Sequence, residues 1–550
     1  MQLVPKVING GKYWYLQEKE WRDGESHVKR QYYLGSADKI FEMFCASEKK
    51  FIASEVQLKT FNLGKPAAFL MAAEELGFEQ IISNTVDGGR KRDTAHLMFI
   101  MTAGRTNGPM SKLKTVSWFY KRSVLPHLLD LSEEFNEDIL YYTMDKLNST
   151  TRSTIGDALC RNIMAKGLTP KFIYEDTTNF ATNIEHGGEL PQKGKSKEGR
   201  RNKNLVGMAL AVSDENIPML FDAYPGNKHD ADVFPETMDA LIKRLERLKV
   251  ATEELVLVFD KGNNSEDNLD LINGRFHIIA SVKRNQASEL MEVSLAKFEY
   301  LYTTYVGYKV VGYPTRCEFF GREWRTIVTY NPGTARKQKE TYERNKRILT
   351  KFLDGLTSKV GREGRGRKMT ATGALRQATK KIHNDYVSVF KTEISTEKNW
   401  FKWWLDEEAE KALMKRMGKQ IVITDLEGEE WASERIVRGY NNKALIEDDF
   451  KIVKDTFILP FFPVRHRKDD RIDAHVFLCG IGLTFLRYAM HKLKDTNLSI
   501  YQVLEALEGI NVSLVKEKKT KRVKWVINQL DIHQSIIFNE LGLHRFIPRR

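Results

Sequence analysis

The chain has 550 residues, enough for several domains and a large hydrophobic core. Its formal net charge of +14 favours a polyanionic partner, and nucleic acid is the commonest of these. Four scattered cysteines without a C-x-x-C pair argue against a zinc site and a disulfide framework, and they indicate a reducing compartment.

The sequence predicts neither a membrane span nor a signal peptide. The most apolar stretch, residues 474–490, is short and carries His475 and Arg487, so we expect a buried helix. The first six residues lack the apolar core of a secretory signal. These features together predict a cytoplasmic protein.

The first predicted element is a β-hairpin within residues 1–36. Residues 12–20 and 26–34 are rich in aromatic side chains and partly alternate, and a turn signal at residues 22–25 separates them. Their basic and aromatic side chains could contact nucleic acid, or they could cover the rest of the domain.

Residues 37–168 are predicted to be mainly helical, because apolar residues recur there at three- and four-residue spacing. Within them, residues 112–122 interleave basic and aromatic side chains, which is typical of a helical DNA-binding region. The alternative is a solvated basic helix whose Trp118 and Phe119 belong to the core.

Residues 169–285 change to an α/β pattern, with the predicted order β-β-β-α-β-α-β. The predicted elements cover residues 171–178, 205–212, 217–224, 231–248, 255–259, 265–272 and 276–282. Asp176 lies on the first strand, and Asp260 directly follows the apolar fourth strand. Sites in open α/β sheets cluster at such strand ends, and acids there are costly unless paired or bound to metal. The alternative is two aspartates at the surface or on an edge strand.

Residues 286–415 interrupt this pattern. Two aromatic, β-branched stretches, residues 298–311 and 317–330, predict strands. The cationic stretch from Arg344 to Lys381 is either a solvated loop or a loop that contacts phosphates, and the overall charge favours the second. The aromatic cluster at residues 399–404 fits core packing, or else stacking on a displaced base.

Residues 438–454 predict one amphipathic helix. On a helical wheel, one acid, one phenol and three cations share an arc of roughly 80°. These residues are Tyr440, Lys443, Glu447, Lys451 and Lys454. This face is either a solvated surface with ordinary ion pairs or a metal-binding carboxylate flanked by phosphate-binding groups. Asp449 projects into the opposite, apolar arc, where the sequence shows no partner for it.

Asp176, Asp260 and Glu447 are far apart in sequence, but the predicted layout brings them together. Three carboxylates in one cleft repel unless cations neutralise them. Oxygen ligands without His or Cys suit Mg²⁺ or Mn²⁺. Two such ions about 4 Å apart could activate a water or a 3′-hydroxyl and stabilise the leaving oxygen of a phosphodiester.

The stretches around Asp176, Asp260 and Glu447 resemble the three acidic blocks of the DDE transposases of prokaryotic insertion sequences. More narrowly, they resemble the group with a Y-(2)-R-(3)-E-(6)-K signature and a β-rich insertion before the last acid. Tyr440, Lys443, Glu447 and Lys454 stand at those spacings. The first-acid block is residues 174–178, followed by Ser196, Lys197, Arg200, Pro225, Gly226, Asn227 and Asp230. The second block, residues 258–262, is similar to the family's V-x-D-R-G.

The resemblance implies an RNase H-like catalytic core that cuts transposon ends and joins the 3′-hydroxyl to target DNA. It also implies Mg²⁺, with Mn²⁺ as a substitute and two ions in the site, held by Asp176, Asp260 and Glu447. The expected DNA contacts are Tyr440, Lys443, Lys454, Lys197, Arg200 and Lys261, to which we add Lys451 from the helical wheel. Lys443 and Lys261 replace arginines of the family pattern, so they lose the bidentate fork but keep the charge.

The predicted fold is therefore α/β, an RNase H-like mixed sheet flanked by helices. The predicted segments are residues 1–36, 37–168, 169–285, 286–415 (insertion), 416–495 (second part of the core) and a basic region at 496–550. Expected partners are double-stranded DNA, as terminal inverted repeats and target, and a second copy in a homodimer, in a nucleoid-associated prokaryotic setting without a membrane. A structure-selective nuclease on the same core and an inactive DNA-binding derivative are the alternatives.

Overall fold

The computed structural model describes residues 1–22, 25–43, 56–86, 90–185, 188–199, 202–360, 369–456, 458–461, 464–517 and 523–549. The first element is a three-stranded antiparallel meander formed by β1 (Gln2–Ile8), β2 (Gly11–Arg22) and β3 (Glu25–Gly35). The two strands predicted from residues 12–20 and 26–34 pair with each other as β2 and β3. β1 adds a strand that the sequence pattern did not predict.

In the region predicted to be helical, residues 37–43 are helical, and the described residues from 56 to 165 form one strand and six α-helices. They are β4 (Val56–Asn62), α1 (Gly64–Glu75), α2 (Phe78–Thr85), α3 (Lys91–Gly104), α4 (Lys112–Arg122), α5 (Glu137–Asp145) and α6 (Ser149–Ala165). Ser111 caps α4 by accepting a hydrogen bond from the Lys114 amide. Trp118 and Phe119 of this helix are buried in the core. The packing alternative therefore accounts for these two aromatic residues.

The first part of the central sheet follows the predicted order, with one two-residue strand added. Its elements are β5 (Phe172–Thr182), β6 (Gln192–Lys193), β7 (Asn204–Ser213), β8 (Pro218–Pro225), α7 (Asp230–Arg247), β9 (Val256–Val258), α8 (Glu266–Ile272) and β10 (His277–Val282). The short β9 lies parallel to both β5 and β10, whereas β5, β7 and β8 pair antiparallel. β7 and β9 are buried apolar runs, as expected for strands covered on both faces.

The strands at the start of the predicted insertion, residues 286–415, extend the central sheet. After α9 (Ser288–Glu292) come β11 (Glu299–Thr303), β12 (Lys309–Phe319) and β13 (Arg322–Tyr330). They join the sheet through β16 (Lys419–Thr424), which pairs with both β13 and β10. The ten-stranded sheet has the order β11-β12-β13-β16-β10-β9-β5-β7-β6, with β8 on β7. The two aromatic stretches are therefore part of the central sheet.

The remainder of that segment has a hydrophobic core of its own. Its elements are α10 (Pro332–Thr357), α11 (Ala371–Lys381), β14 (Phe390–Ser395), β15 (Trp400–Leu405) and α12 (Glu407–Arg416). Tyr342 and Phe401 are among the residues buried in this core. Phe401 thus packs inside, whereas Trp404 of the same aromatic cluster is 48% exposed.

The helix predicted over residues 438–454 is two helices, α13 (Ser433–Asn441) and α14 (Ala444–Lys454). The break falls at Asn442 and Lys443, next to two asparagines, which have low helix propensity. Asn441 donates a hydrogen bond to the Tyr302 hydroxyl (2.8 Å), and Asn442 bonds the Tyr174 side chain. These tertiary bonds replace helix continuity, so the continuous wheel drawn from the sequence is wrong.

The long helix α15 (Asp469–Lys492) runs through the centre of the molecule. It contains the apolar stretch that the sequence predicted to be a buried helix. By length and composition α15 is the one helix in the described part of the chain that could cross a membrane, but 89% of its apolar window is buried inside the protein. It packs against β8 and α1, which explains why it is apolar on all sides.

The C-terminal region folds back onto the helical region. Its elements are α16 (Ile500–Gly509), β17 (Asn511–Glu517), β18 (Val523–Ile527) and α17 (Ile532–Glu540). β17 pairs antiparallel with β4, over 400 residues earlier in the chain, and with β18. One hydrophobic cluster runs from Phe61 to Phe546 and includes residues of the central sheet. The helical region and the C-terminal region therefore share one core.

Candidate active site

Two carboxylates converge on neighbouring interior strands of the central sheet, one inside β5 and the other just after β9. β5 and β9 run parallel, and Tyr174 is paired with Val258. Asp176 and Asp260 each lie two residues further along, so the two aspartates stand at the same level on neighbouring chain segments. Burial raises the pKa of Asp176, and the charge of Asp260 raises it further. The structure thus brings together the two acids predicted from the strand pattern.

The Lys443 ammonium faces both aspartates. Its Nζ lies 3.0 Å from Asp260 Oδ1, and the Lys443 side chain is only 10% exposed. Burial raises the pKa of Asp176, and the nearby Lys443 charge opposes that rise. Burial acts in the same direction on Asp260, but there the charge and hydrogen bond of Lys443, together with the amide and charge of Lys261, hold the pKa below its usual value. Although burial disfavours the ammonium, the two aspartates raise the pKa of Lys443.

A second cation, Lys197, lies on the other side of Asp176. Its Nζ donates to the Thr177 carbonyl (2.7 Å) and the Thr177 hydroxyl (2.9 Å), and it forms an ion pair with Asp230 (3.0 Å). The Thr177 hydroxyl donates in turn to Asp230 Oδ1 (2.6 Å). Asp230 begins α7, where a carboxylate is favoured by the helix dipole. This network fixes Lys197 beside the first aspartate.

A buried carboxyl braces the loop that carries Asp260. Glu175 Oε2 accepts a hydrogen bond from Asn263 Nδ2 (2.9 Å), and the backbone N–H of Asn263 donates to the backbone carbonyl of Asp260 (3.0 Å). Asn268 Nδ2 donates to the Asn263 carbonyl (2.8 Å). Burial, together with the charge of Asp176, raises the pKa of Glu175 to about 8. The brace therefore ties β5 directly to the loop after β9.

Glu447 does not join the two aspartates. It lies in the first turn of α14 and is exposed. In the described residues no group of three or more His, Cys, Asp or Glu side chains is arranged to hold a metal ion. The sequence prediction that three acids form one cluster stays a prediction for Glu447.

The other predicted DNA contacts differ widely in exposure. Tyr440 is buried beside Asp260, and its hydroxyl bonds the Ser281 side chain. Lys454 is half-buried, with Nζ 5.6 Å from the Phe180 ring centroid and 3.8 Å from Glu198. Lys451 is exposed and pairs with Asp448 at 2.6 Å. Lys261 is exposed as well. Arg200 lies outside the described residues.

The paired aspartates suit a divalent cation. Their donor atoms are carboxylate oxygens alone, which hard ions such as Mg²⁺ prefer. The Lys443 ammonium already meets them with positive charge, which shows that the pair attracts a cation. Asp176 and Asp260 are therefore chemically suited to hold the metal. The sequence pattern predicts Glu447 as the third ligand.

The sequence pattern missed the supporting residues Glu175, Asn263 and Thr177. Glu175 precedes Asp176, so strand alternation places it on the opposite, buried side of the sheet. A carboxyl group inside an apolar strand is costly without a partner, so the sequence itself indicates that Glu175 needs a buried hydrogen-bond partner. Nothing in the sequence identified Asn263 as its partner, because the pairing depends on how the loop after β9 turns.

The fold is therefore that of an α/β protein with a mixed sheet flanked by helices. Its candidate site consists of two carboxylates on neighbouring strand segments, with lysines around them. A family model described as "Transposase DDE domain" matches residues 181–485, more than half of the chain. The chain therefore belongs to the DDE transposase family. Asp260 and Glu447 lie inside the matched segment, and Asp176 lies just before it. A search of curated proteins found no match to the chain.

Membership confirms the family resemblance seen in the sequence. The mixed sheet flanked by helices agrees with the RNase H-like core expected of this family. Transposases of this kind act on DNA and generally use divalent metals such as Mg²⁺. The net charge of +14 is consistent with a DNA partner.

Proposed function

We propose that this protein cuts DNA at the ends of a prokaryotic insertion sequence and joins the freed 3′-hydroxyl to target DNA. The observation that carries this proposal is the convergence of Asp176 on β5 and Asp260 just after the parallel strand β9, with Lys443 and Lys197 beside them. Carboxylates ringed by cations are the arrangement that phosphoryl transfer requires, because both metal and phosphate must be held there.

In this proposal Asp176 and Asp260 hold the metal, and Glu447 completes the ligand set. Mg²⁺ or Mn²⁺ bound there, as two ions, would supply Lewis-acid stabilisation of the attacking and leaving oxygens. The Glu175–Asn263 brace keeps the loop of Asp260 opposite β5. Glu447 lies in the first turn of α14, directly after the break at Asn442 and Lys443.

The cations of the site would position the DNA. Lys197, Lys454 and Lys261 surround the aspartates as point charges for phosphates. Tyr440, Lys443, Lys451 and Arg200 complete the proposed contact set. The expected substrate is double-stranded DNA, as terminal inverted repeats and target, bound by a homodimer that pairs the two ends.

The first experiment is cleavage of a duplex that carries the element's terminal sequence, with Mg²⁺. We expect wild-type protein to cut and Asp260→Asn to lose at least about 100-fold in rate, since a metal ligand is removed. Asp176→Asn and Glu447→Gln should behave in the same way. Asp239→Asn, which breaks an exposed ion pair on α7, is the matched control and should cut at the wild-type rate.

Each other outcome has a defined meaning. Equal cutting by wild type and Asp260→Asn would show that the site is wrong. Loss with Asp260→Asn but not with Glu447→Gln would reduce the site to two carboxylates. Cutting without joining of pre-cut ends would indicate a structure-selective nuclease, and DNA binding without any cutting would indicate an inactive derivative.

A further inference from the structure

Among the cations that the structure describes near the site, Lys443 is the one whose charge acts on both aspartates. It is buried, and its ammonium forms an ion pair with Asp260 and also acts on the charge of Asp176. Lys451 points to solvent and pairs with Asp448 on its own helix. Lys197 is held by Thr177 and Asp230. Lys443 is thus the cation that directly neutralises the aspartate pair.

The pair needs such a cation. Two ionised carboxylates at the same level of adjacent strands repel each other, and partial burial strengthens that repulsion. A divalent metal would bring positive charge to the same carboxylate oxygens. One oxygen of Asp260 already lies 3.0 Å from the Lys443 Nζ. The Lys443 ammonium and a metal ion would therefore compete for the same negative charge and the same oxygen atom.

We propose that Lys443 is a built-in counter-cation that competes with divalent metal for the aspartate pair, and that DNA binding relieves this competition. The proposal rests on the proposed function, because it regulates the same site. Lys443 lies at the break between α13 and α14, and its flexible side chain can turn toward a phosphate without unwinding a helix. A bound DNA phosphate would draw the ammonium away and leave both aspartates free.

This arrangement couples the two ligands of the enzyme. If DNA removes the competitor, it raises the affinity for metal, and by thermodynamic linkage metal raises the affinity for DNA by the same factor. The free protein would then load metal poorly, and hydrolysis of unrelated phosphodiesters would be suppressed until an end is bound. Lysine suits this role because it binds phosphate as a mobile point charge, without the fixed fork of arginine.

The test measures Mn²⁺ binding to the full-length protein by calorimetry, without DNA. We expect Lys443→Met to bind Mn²⁺ at least about tenfold more tightly than wild type, since a unit charge a few ångströms from the ligands is removed. Lys443→Arg keeps the charge and should stay close to wild type. Lys243→Met, which breaks an exposed lysine–aspartate pair on α7, should leave Mn²⁺ affinity unchanged.

Thermal unfolding shows whether each variant is folded, and Lys443→Gln serves as a smaller polar replacement if Lys443→Met is not. Equal Mn²⁺ affinity of wild type and both neutral variants would overturn the competition. The double variant Lys443→Met with Asp260→Asn separates this failure from failure of the proposed function. If the double variant still binds Mn²⁺ as tightly as Lys443→Met, the aspartates are not the metal site and both proposals fail.

The coupling is tested by adding a short duplex that carries the terminal sequence. Wild type should gain Mn²⁺ affinity on binding the duplex, and Lys443→Met should gain little, because its competitor is already absent. An unchanged wild-type affinity, with the duplex shown to be bound, would overturn the coupling. An equal gain in wild type and Lys443→Met would also overturn it, since DNA would then act through other groups.

Discussion

Asp449 illustrates how one buried charge is held in this fold. The sequence placed it on the apolar side of its helix without a partner, and the structure supplies one on α15. Asp449 is fully buried and lies 2.6 Å from the Arg487 guanidinium. In its flipped orientation, the side-chain amide of Asn216 donates a hydrogen bond to the other carboxylate oxygen of Asp449 (2.7 Å). Burial raises the pKa of Asp449 to about 7, and Arg487 opposes that rise. The pair therefore fastens α14 to α15.

Removing one partner of such a pair leaves an uncompensated buried charge. We expect Asp449→Ala to lower the free energy of unfolding by about 3–5 kcal/mol. Its neighbour Asp448 is exposed and pairs only with Lys451, so Asp448→Ala should have little effect. Denaturant unfolding of both variants measures the difference. Similar stabilities would show that the Asp449–Arg487 pair does not hold the two helices together.

The residues of the candidate site could be predicted from sequence to different degrees. Asp176 and Asp260 could be predicted as site residues because each belongs to a stretch with a strong strand pattern, and sites in open α/β sheets cluster near the carboxyl ends of strands. The position of Glu447 could not be predicted, because it depends on the angle between two helices and on tertiary bonds of Asn441 and Asn442. The cation at the aspartates was likewise hidden, since the helical wheel placed Lys443 among phosphate-binding groups.

At the scale of elements, the sequence predicted local structure well and assembly less well. Strands and helices of residues 170–285 appear in the predicted order, because their apolar runs and turns are local signals. The strands β11 to β13 were predicted but assigned to a separate insertion. Their place in the sheet depends on β16, some 90 residues later, and sequence periodicity carries no information about such long-range pairing.

Two glycines in long helices predict opposite effects. A Cβ on Gly480 of α15 would overlap the Phe221 ring of β8, whereas a Cβ on Gly355 of α10 would meet no atom within 4 Å. We expect Gly480→Ala to lower the free energy of unfolding by about 1–3 kcal/mol through overpacking. Gly355→Ala should raise it by about 0.5–1 kcal/mol, because alanine favours the helix. An unfolding midpoint of Gly480→Ala equal to or above that of wild type would contradict the close packing of α15 on β8.

At the scale of the whole molecule, the chain closes on itself. β4 and β17 pair over more than 400 residues, so the helical region and the C-terminal region fold as one body with the catalytic sheet. No local sequence pattern predicted this closure, and the basic composition of the C-terminal region suggested only a separate segment. Where the helical region meets the catalytic part, Arg105 donates to the Pro460 carbonyl and is buried. This junction carries several cationic and imidazole groups.

The junction should make the stability of the whole molecule sensitive to acid. Burial, with the charges of Arg105 and Lys112, lowers the pKa of His475 well below 6.5, and burial lowers that of His466 to about 3. Both imidazoles are therefore neutral in the folded protein, whereas the unfolded chain takes up protons near pH 6.5. Their contribution to stability is complete above pH 6.5 and is lost as the pH falls below it.

A variant of His475 measures this effect separately from other titrating groups. His475 Nε2 lies 2.9 Å from the Phe461 carbonyl, and His475→Gln supplies an amide donor that does not titrate. Between pH 6.5 and about pH 5, we expect wild type to lose about 1–2 kcal/mol more unfolding free energy than the variant. Buried acids with raised pKa values, such as Asp473, change stability in the opposite direction, but they do so equally in both proteins. Parallel stability curves for wild type and His475→Gln would mean that the imidazole is already protonated in the folded protein.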